Sequence, residues 1–246
     1  MMSSATGMIV MKSLSGNSGA KATASTIANA PTTWEGKKGL ESLRRLKAGD
    51  LLANGAFRVE KVEPVDDYQV VSVALKHLKT GAHWLHIGAD DSNNAFNVGF
   101  KTVPMDDTGV AHILEHTTLC GSKNYPVRDP FFNMLRRSLS TFMNAMTSAD
   151  FTCYPFATMN RVDYDNLLGV YLDAVFFPKL EEQDFRQEGH RFEFAKTEDA
   201  SSGLKYKGVV FNEMKGAMGS QNARFRCCIE LASRTCHHTL RSDDET

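Results

Sequence analysis

The first 34 residues contain no aspartate, glutamate or arginine. Ser, Thr, Ala and Gly dominate Ser3 to Thr33, and Lys12 and Lys21 are the only charged side chains there. Such a start reads either as an organelle transit peptide or as a disordered extension, and the missing arginine and amphipathic period leave both open. Other absences apply to the whole chain. No run approaches the roughly 18 to 20 apolar residues of a membrane-spanning helix, which excludes that element. There is no excess of positive charge: 28 Lys and Arg against 29 Asp and Glu give a net charge of −1. A nucleic-acid binder working through bulk positive charge is thereby excluded. The five cysteines are odd in number and irregularly spaced, so a disulfide framework is not expected and a reducing compartment is the simpler reading.

What is present is globular. A hydrophobic share of 42% and a charged share of 23% exclude long disorder or a fibrous repeat. The 246 residues suffice for one large domain or two small ones. Order is expected from about Gly36, with a short helix over Gly39 to Leu46. Phe57 to Val62 alternates with period two, as a half-buried strand does. Tyr68 to Leu78 and Ala82 to Ile87 form a hairpin about Lys79-Thr80-Gly81, and Ala95 to Thr102 reads as a further strand. A polar loop, Pro104 to Thr108, leads into a helix over Val110 to Cys120, with Gly121 where helices end. Leu139 to Ala145 and Phe151 to Ala157 flank Met146 to Asp150 as a hairpin, which by pattern alone is core sheet. Asp163 to Phe176 is a strong helix stopped by Pro178, and its apolar residues read as packing.

The helix after the fourth strand carries His112-Ile113-Leu114-Glu115-His116. Positions four apart lie on one helix face, so the two imidazoles can converge on one point. Neutral imidazoles are preferred zinc ligands, and a carboxylate one turn away can take a proton from an activated water. The spacing is that of the inverted zinc-peptidase motif, and a chain of this composition produces it by chance only about 0.01 times.

A catalytic zinc takes three protein ligands and keeps one position open. Glu181, Glu182, Glu188, Glu193, Glu198 and Glu213 are the candidates for the third. Most sit in charged, surface-like runs. Glu213 lies in the apolar stretch Gly208-Val-Val-Phe-Asn-Glu-Met-Lys-Gly216, where a lone acid is costly without a partner. Spacing alone does not choose among them.

Several ordered segments resemble the presequence protease branch of the pitrilysin family. They are His112-Ile-Leu-Glu-His-Thr-Thr-Leu-Cys-Gly-Ser122, Tyr125-Pro126, Arg128-Asp-Pro-Phe-Phe132, Ser138-Leu-Ser-Thr-Phe-Met-Asn-Ala145, Tyr171-Leu-Asp-Ala-Val-Phe-Phe-Pro178, Gln187-Glu-Gly189 and Gly208 to Ala217. The likeness runs from about Leu46 to about Ala217, roughly the first of that family's four related domains. It implies an α+β fold, a sheet with helices packed on one face, for a metalloenzyme domain spanning 36–222. It implies zinc held by His112, His116 and Glu213, with Glu115 as general base. It also implies that Asn144 and Ala145 belong to an edge strand that binds peptide by strand addition. The expected substrates are targeting presequences and other short unfolded peptides, cleaved by a zinc-activated water. Mitochondrion, the matrix in particular, is the implied compartment, with plastid, vacuole or cytoplasm as alternatives.

Beyond Ala217 the likeness fades, and 223–246 reads as a divergent tail. Family members continue through three more domains whose second half supplies Arg and Tyr contacts, so full activity is expected to need that C-terminal half. A non-catalytic peptide-binding or scaffold relative, and an inactive truncation, are the competing readings. In the tail, Cys227-Cys228 with Cys236-His237-His238 offers a weak rival metal site, because adjacent cysteines fit zinc geometry poorly.

Overall fold

Alternation of side chains across a pleated strand decides where the core lies. In the computed structural model, which describes residues 7–12, 36–222 and 225, the chain begins with β1 (Gly7–Lys12), α1 (Gly36–Arg44) and β2 (Leu51–Leu52). There follow β3 (Phe57–Val65), β4 (Val70–His77), β5 (His83–Ala89) and β6 (Asn94–Lys101). Next come α2 (Val110–Thr118), α3 (Pro130–Arg137), β7 (Ser140–Met143), β8 (Met146–Thr147), β9 (Phe151–Thr158) and α4 (Arg161–Phe176). The last elements are α5 (Glu182–Glu188), β10 (Arg191–Lys196), β11 (Asp199–Lys207) and α6 (Val209–Ala217). They form two compact units: the described residues up to Met105 with Thr118–Lys179, and Asp106–Thr117 with the described residues from Leu180.

The first unit is built on a mixed sheet in the order β2-β3-β4-β5-β1-β6-β9-β7, with β8 also paired to β9. Every second residue of β4 and β6 is buried: Val71, Val73 and Leu75, then Asn94, Phe96 and Val98. This face is covered by helices. Leu40 and Leu43 of α1 pack on the β4 residues, and Tyr164, Leu167 and Tyr171 of α4 pack on Phe96, Val98, Tyr154 and Phe156. Removing a side chain such as Leu167 from water contributes about 1.5–3 kcal/mol. The Asn160 side chain caps α4 by accepting the Asp163 N–H at 3.0 Å. The expected arrangement of a sheet with helices on one face is what this unit shows.

The loop after α2 is pinned to α4 by Asp173, whose carboxylate accepts the Asn124 backbone N–H at 2.8 Å and the Asn124 side chain at 2.6 Å. Burial opposes the ionisation of Asp173, but donors from Asn124 and Tyr125 outweigh it and hold the carboxyl below its ordinary value. His86 is buried in the same unit, and that burial pushes its pKa down to about 4.

β1 differs from the sequence expectation. Gly7–Lys12 lies within the 1–35 segment read as extension or transit peptide, yet it pairs in parallel with β5 and antiparallel with β6. The Met8-Ile9-Val10-Met11 run is short, and averaging over an acid-free tract hides it. The hairpin expected about Met146 to Asp150 is present, but Met146–Thr147 is itself a strand and the reversal falls at Ser148–Phe151, whose N–H···O bond is 2.8 Å. The tail with Cys227, Cys228 and Cys236 lies outside the described residues.

In the second unit, β10 and β11 form an antiparallel hairpin between α5 and α6. Gly189 follows α5 and Gly208 precedes α6, and a Cβ on Gly208 would overlap the Gly189 carbonyl oxygen. A Cβ on Gly189 would in turn sit 3.2 Å from Ile113 Cγ2 on α2. Both glycines are therefore required by close packing, and this contact fixes where α5 ends and α6 begins relative to the HxxEH turns.

Candidate metal centre

All the acids and imidazoles of the centre belong to the second unit. Gly109, at φ +72°, takes the left-handed conformation that glycine tolerates, and its carbonyl accepts the Ile113 N–H at 3.0 Å to start α2. One turn on, His112 and His116 present their rings from the same face, with centroids 5.0 Å apart and planes at 67°. Thr117 Oγ1 bonds back to the Ile113 carbonyl at 2.9 Å. From α6, the Glu213 carboxylate meets both rings: Oε2 is 3.8 Å from His112 Nε2 and 3.7 Å from His116 Nε2. One ligand atom from each residue lies within 4.8 Å of the others.

These separations are too long for hydrogen bonds, which close at about 2.7–3.2 Å between N and O. They approach the edge of a tetrahedral zinc site, about 3.4 Å for metal–ligand bonds of about 2.1 Å. The donors, two imidazole nitrogens and one carboxylate oxygen, are those zinc prefers, and three protein donors leave a fourth tetrahedral position. The residues present fit that ion. Glu213 is 54% exposed at its side chain while the two histidines are 19% and 23% exposed, so the centre opens to solvent on the carboxylate side.

Behind His116 stands a second carboxylate. Its Nδ1 lies 3.0 Å from Oε2 of Glu188, the last residue of α5. Glu188 is buried, and its other oxygen accepts from Gln187 Nε2 at 3.2 Å. The Glu188 bond raises the His116 pKa against the opposing effect of burial, and the charges of Glu115, Glu188 and Glu213 add to the rise. An Nδ1–H donated to Glu188 leaves Nε2 as the lone-pair nitrogen, on the side where Glu213 lies.

His112, His116 and Glu213, singled out in the sequence, are thus brought together. Glu115 is buried at 6% exposure on the same helix. Of the other candidate third acids, Glu188 is at the centre but behind a ring, not on the donor face. Glu193 is tied to Arg191 at 2.6 Å and Lys207 at 3.0 Å. The service of Glu188 to His116 was missed in the sequence, where it is one acid in a charged run 72 positions away. The only local signal is the buried glycine step that follows it.

Asn144 and Ala145 belong to the sheet unit. The Asn144 N–H donates to the Pro155 carbonyl at 3.0 Å, and the Tyr171 hydroxyl reaches the carbonyls of Asn144 and Pro155 at 3.4 Å each. Asn144 therefore spends its main-chain groups inward, toward β9. Ala145 follows between β7 and β8, both of which pair with β9 at the end of the sheet.

The profile of the Insulinase (Peptidase family M16) family matches residues 96–218, half of the chain. The chain is 56% identical over 184 residues to the mitochondrial presequence protease of Xenopus laevis, covering 75% of this chain and 18% of that protein. It is 60% identical over 161 residues to the mitochondrial presequence protease of Mus musculus, covering 65% and 16%. The crystal structure of pitrilysin is similar with a TM-score of 0.45 and 21% identity, over 52% of this chain and 14% of that one. The chain spans less than a fifth of the length of the curated relatives it matches.

Proposed function

The chain belongs to the insulinase (M16) peptidase family, and on that premise we propose that it carries the zinc centre of an endopeptidase that degrades targeting presequences and other short unstructured peptides. The observation that carries this is the Glu213 carboxylate standing 3.8 and 3.7 Å from two Nε2 atoms, spaced as ligands around an ion and not as hydrogen-bond partners. The names of the relatives support a mitochondrial location, the matrix in particular. The remaining length of those relatives supports a requirement for further sequence in full turnover.

His112 and His116 would hold the ion through Nε2, and Glu213 would complete the set. When bound there, zinc supplies Lewis acidity, lowering the pKa of water from about 15.7 to about 7 and polarising a carbonyl. Glu188 takes the Nδ1–H of His116 and so fixes the ring's tautomer and aim, as carboxylates behind zinc-bound imidazoles do. Glu115, between the two histidines, accepts the proton of the attacking water and returns it to the leaving amide nitrogen. The peptide lies as an added strand along β7 and the residues that follow it, where Ala145 offers main-chain groups to an extended backbone of any sequence.

Glu115→Gln tests the assignment. Cleavage of a quenched fluorescent presequence peptide is expected to fall by about 10²- to 10⁴-fold while one equivalent of zinc stays bound. Unchanged cleavage by the variant, beside an active wild type, refutes the role of Glu115.

A further inference from the structure

A peptide added to a sheet edge sends alternate side chains to the two faces of that sheet. On β6, β7 and β9, Phe96, Val98, Met143 and Phe156 pack into the core with α4. Their neighbours Ala95, Asn97, Phe142 and Ala157 therefore face away from it. A cavity of about 370 Å³ is lined among the described residues by Ile87, Ala95, Phe142, Met146 and Ala157 of that outer face, and it also touches Phe96 and Phe156, Asn97 being the one polar amide. It reaches the edge itself: Phe142 and Met146, at 47% and 43% exposure, leave large apolar surfaces uncovered beside the open side of β7. Cavities that take small organic groups begin at about 300 Å³ and are mostly apolar, with few polar groups to orient the guest.

We propose that this cavity is a subsite for one large apolar side chain, of the leucine or phenylalanine kind, on a peptide paired to the β7 edge. The inference rests on the edge-pairing reading given above. Pairing gives affinity without regard to sequence; the cavity adds a preference. An added strand opposite Phe142 places one side chain over the opening and its two neighbours on the other face. Burying that group removes apolar surface from water on both partners. A charged side chain at the same position loses hydration and finds no partner.

The test measures binding of fluorescent alanine-based host peptides to the full chain, with a single Phe, Leu or Asp guest. The Phe and Leu peptides are expected to bind about tenfold or more tightly than the Asp peptide. In Ala95→Trp, where an indole on β6 fills the cavity two strands in from the edge, the ratio is expected to fall toward one. Equal affinities in the wild type overturn the proposal, as does a preference that survives Ala95→Trp in protein with an unchanged melting temperature. If that variant fails to fold, a benzophenone guest on the wild type decides: cross-links at Phe142 or Met146 support the subsite, and cross-links elsewhere overturn it. Backbone N-methylation of the host separates the two levels. If N-methylated peptides bind as well as the parent, edge pairing itself is wrong and the subsite falls with it. If they lose binding and the guest preference is absent, pairing stands and only the subsite fails.

Discussion

The sheet unit and the unit carrying α2 each hold a histidine whose protonation is displaced, in opposite directions. His86 sits among packed strands, its Nε2 without a hydrogen-bond partner among the described residues, and burial alone lowers its pKa to about 4. His116 is also partly buried, but Glu188 stands 3.0 Å behind it, and Glu115 and Glu213 add negative charge. The first imidazole is kept neutral by the absence of partners and serves packing. The second is surrounded by carboxylates that would charge it, an arrangement that suits a cation. What marks a functional histidine here is its company and not its burial.

The largest expected effect that sharpens this contrast lies on the His86 side. Its folded pKa lies below the unfolded 6.5, so the unfolded chain binds the extra proton between pH 6.5 and about 4. Stability is therefore complete above pH 6.5 and declines as pH falls toward 4, by on the order of 3 kcal/mol in all. His86→Leu should remove this decline in urea melts run from pH 7.5 to 4. A variant that keeps the same slope shows that burial of His86 is not its cause.

A smaller effect is expected behind His116. Glu188→Gln should weaken zinc affinity about 10- to 100-fold, the usual cost of losing a carboxylate that orients a ligand imidazole, and leave the His86-dependent melt as it was. Competitive titration with a chelating dye reads this, and an affinity equal to wild type would dissolve the contrast between the two histidines. The smallest effect concerns Asp173. Its folded pKa lies below 3.8, so its stabilisation is present above that pH and is lost as pH falls through the folded value. Asp173→Asn is expected to be slightly less stable than wild type at pH 7 and to converge with it in strong acid. A constant difference at all pH values would exclude the carboxylate as the source.

Local features were legible in the sequence and distant ones were not. The His112-Glu115-His116 spacing is a property of one helix, so it could be read without knowing the fold. The strands from Phe57 to Lys101 announced themselves by alternation and by the Lys79-Thr80-Gly81 turn, and α4 by its apolar face and its stop at Pro178. Glu213 was suggested by the cost of burying an acid in an apolar segment, a reason the structure overturns because its side chain is 54% exposed; it was singled out only by resemblance, because nothing local says which of six glutamates folds back onto the rings. Glu188 escaped because its role depends on Gly189 and Gly208 closing against one another, a contact between residues that look unremarkable in the chain. β1 escaped because a four-residue apolar run inside a small-residue tract has too little length to stand out, although two neighbouring strands hold it in place.

The most direct measurement is zinc X-ray absorption on the chain loaded with one equivalent of zinc, compared with His112→Ala and His116→Ala. The account predicts only light scatterers around the metal, nitrogen at about 2.0–2.1 Å and oxygen at about 2.0–2.2 Å, with binding lost in both variants. Sulfur at about 2.3 Å, or undiminished binding after either substitution, would place the ion elsewhere, at cysteines such as Cys227 and Cys228, and would contradict it.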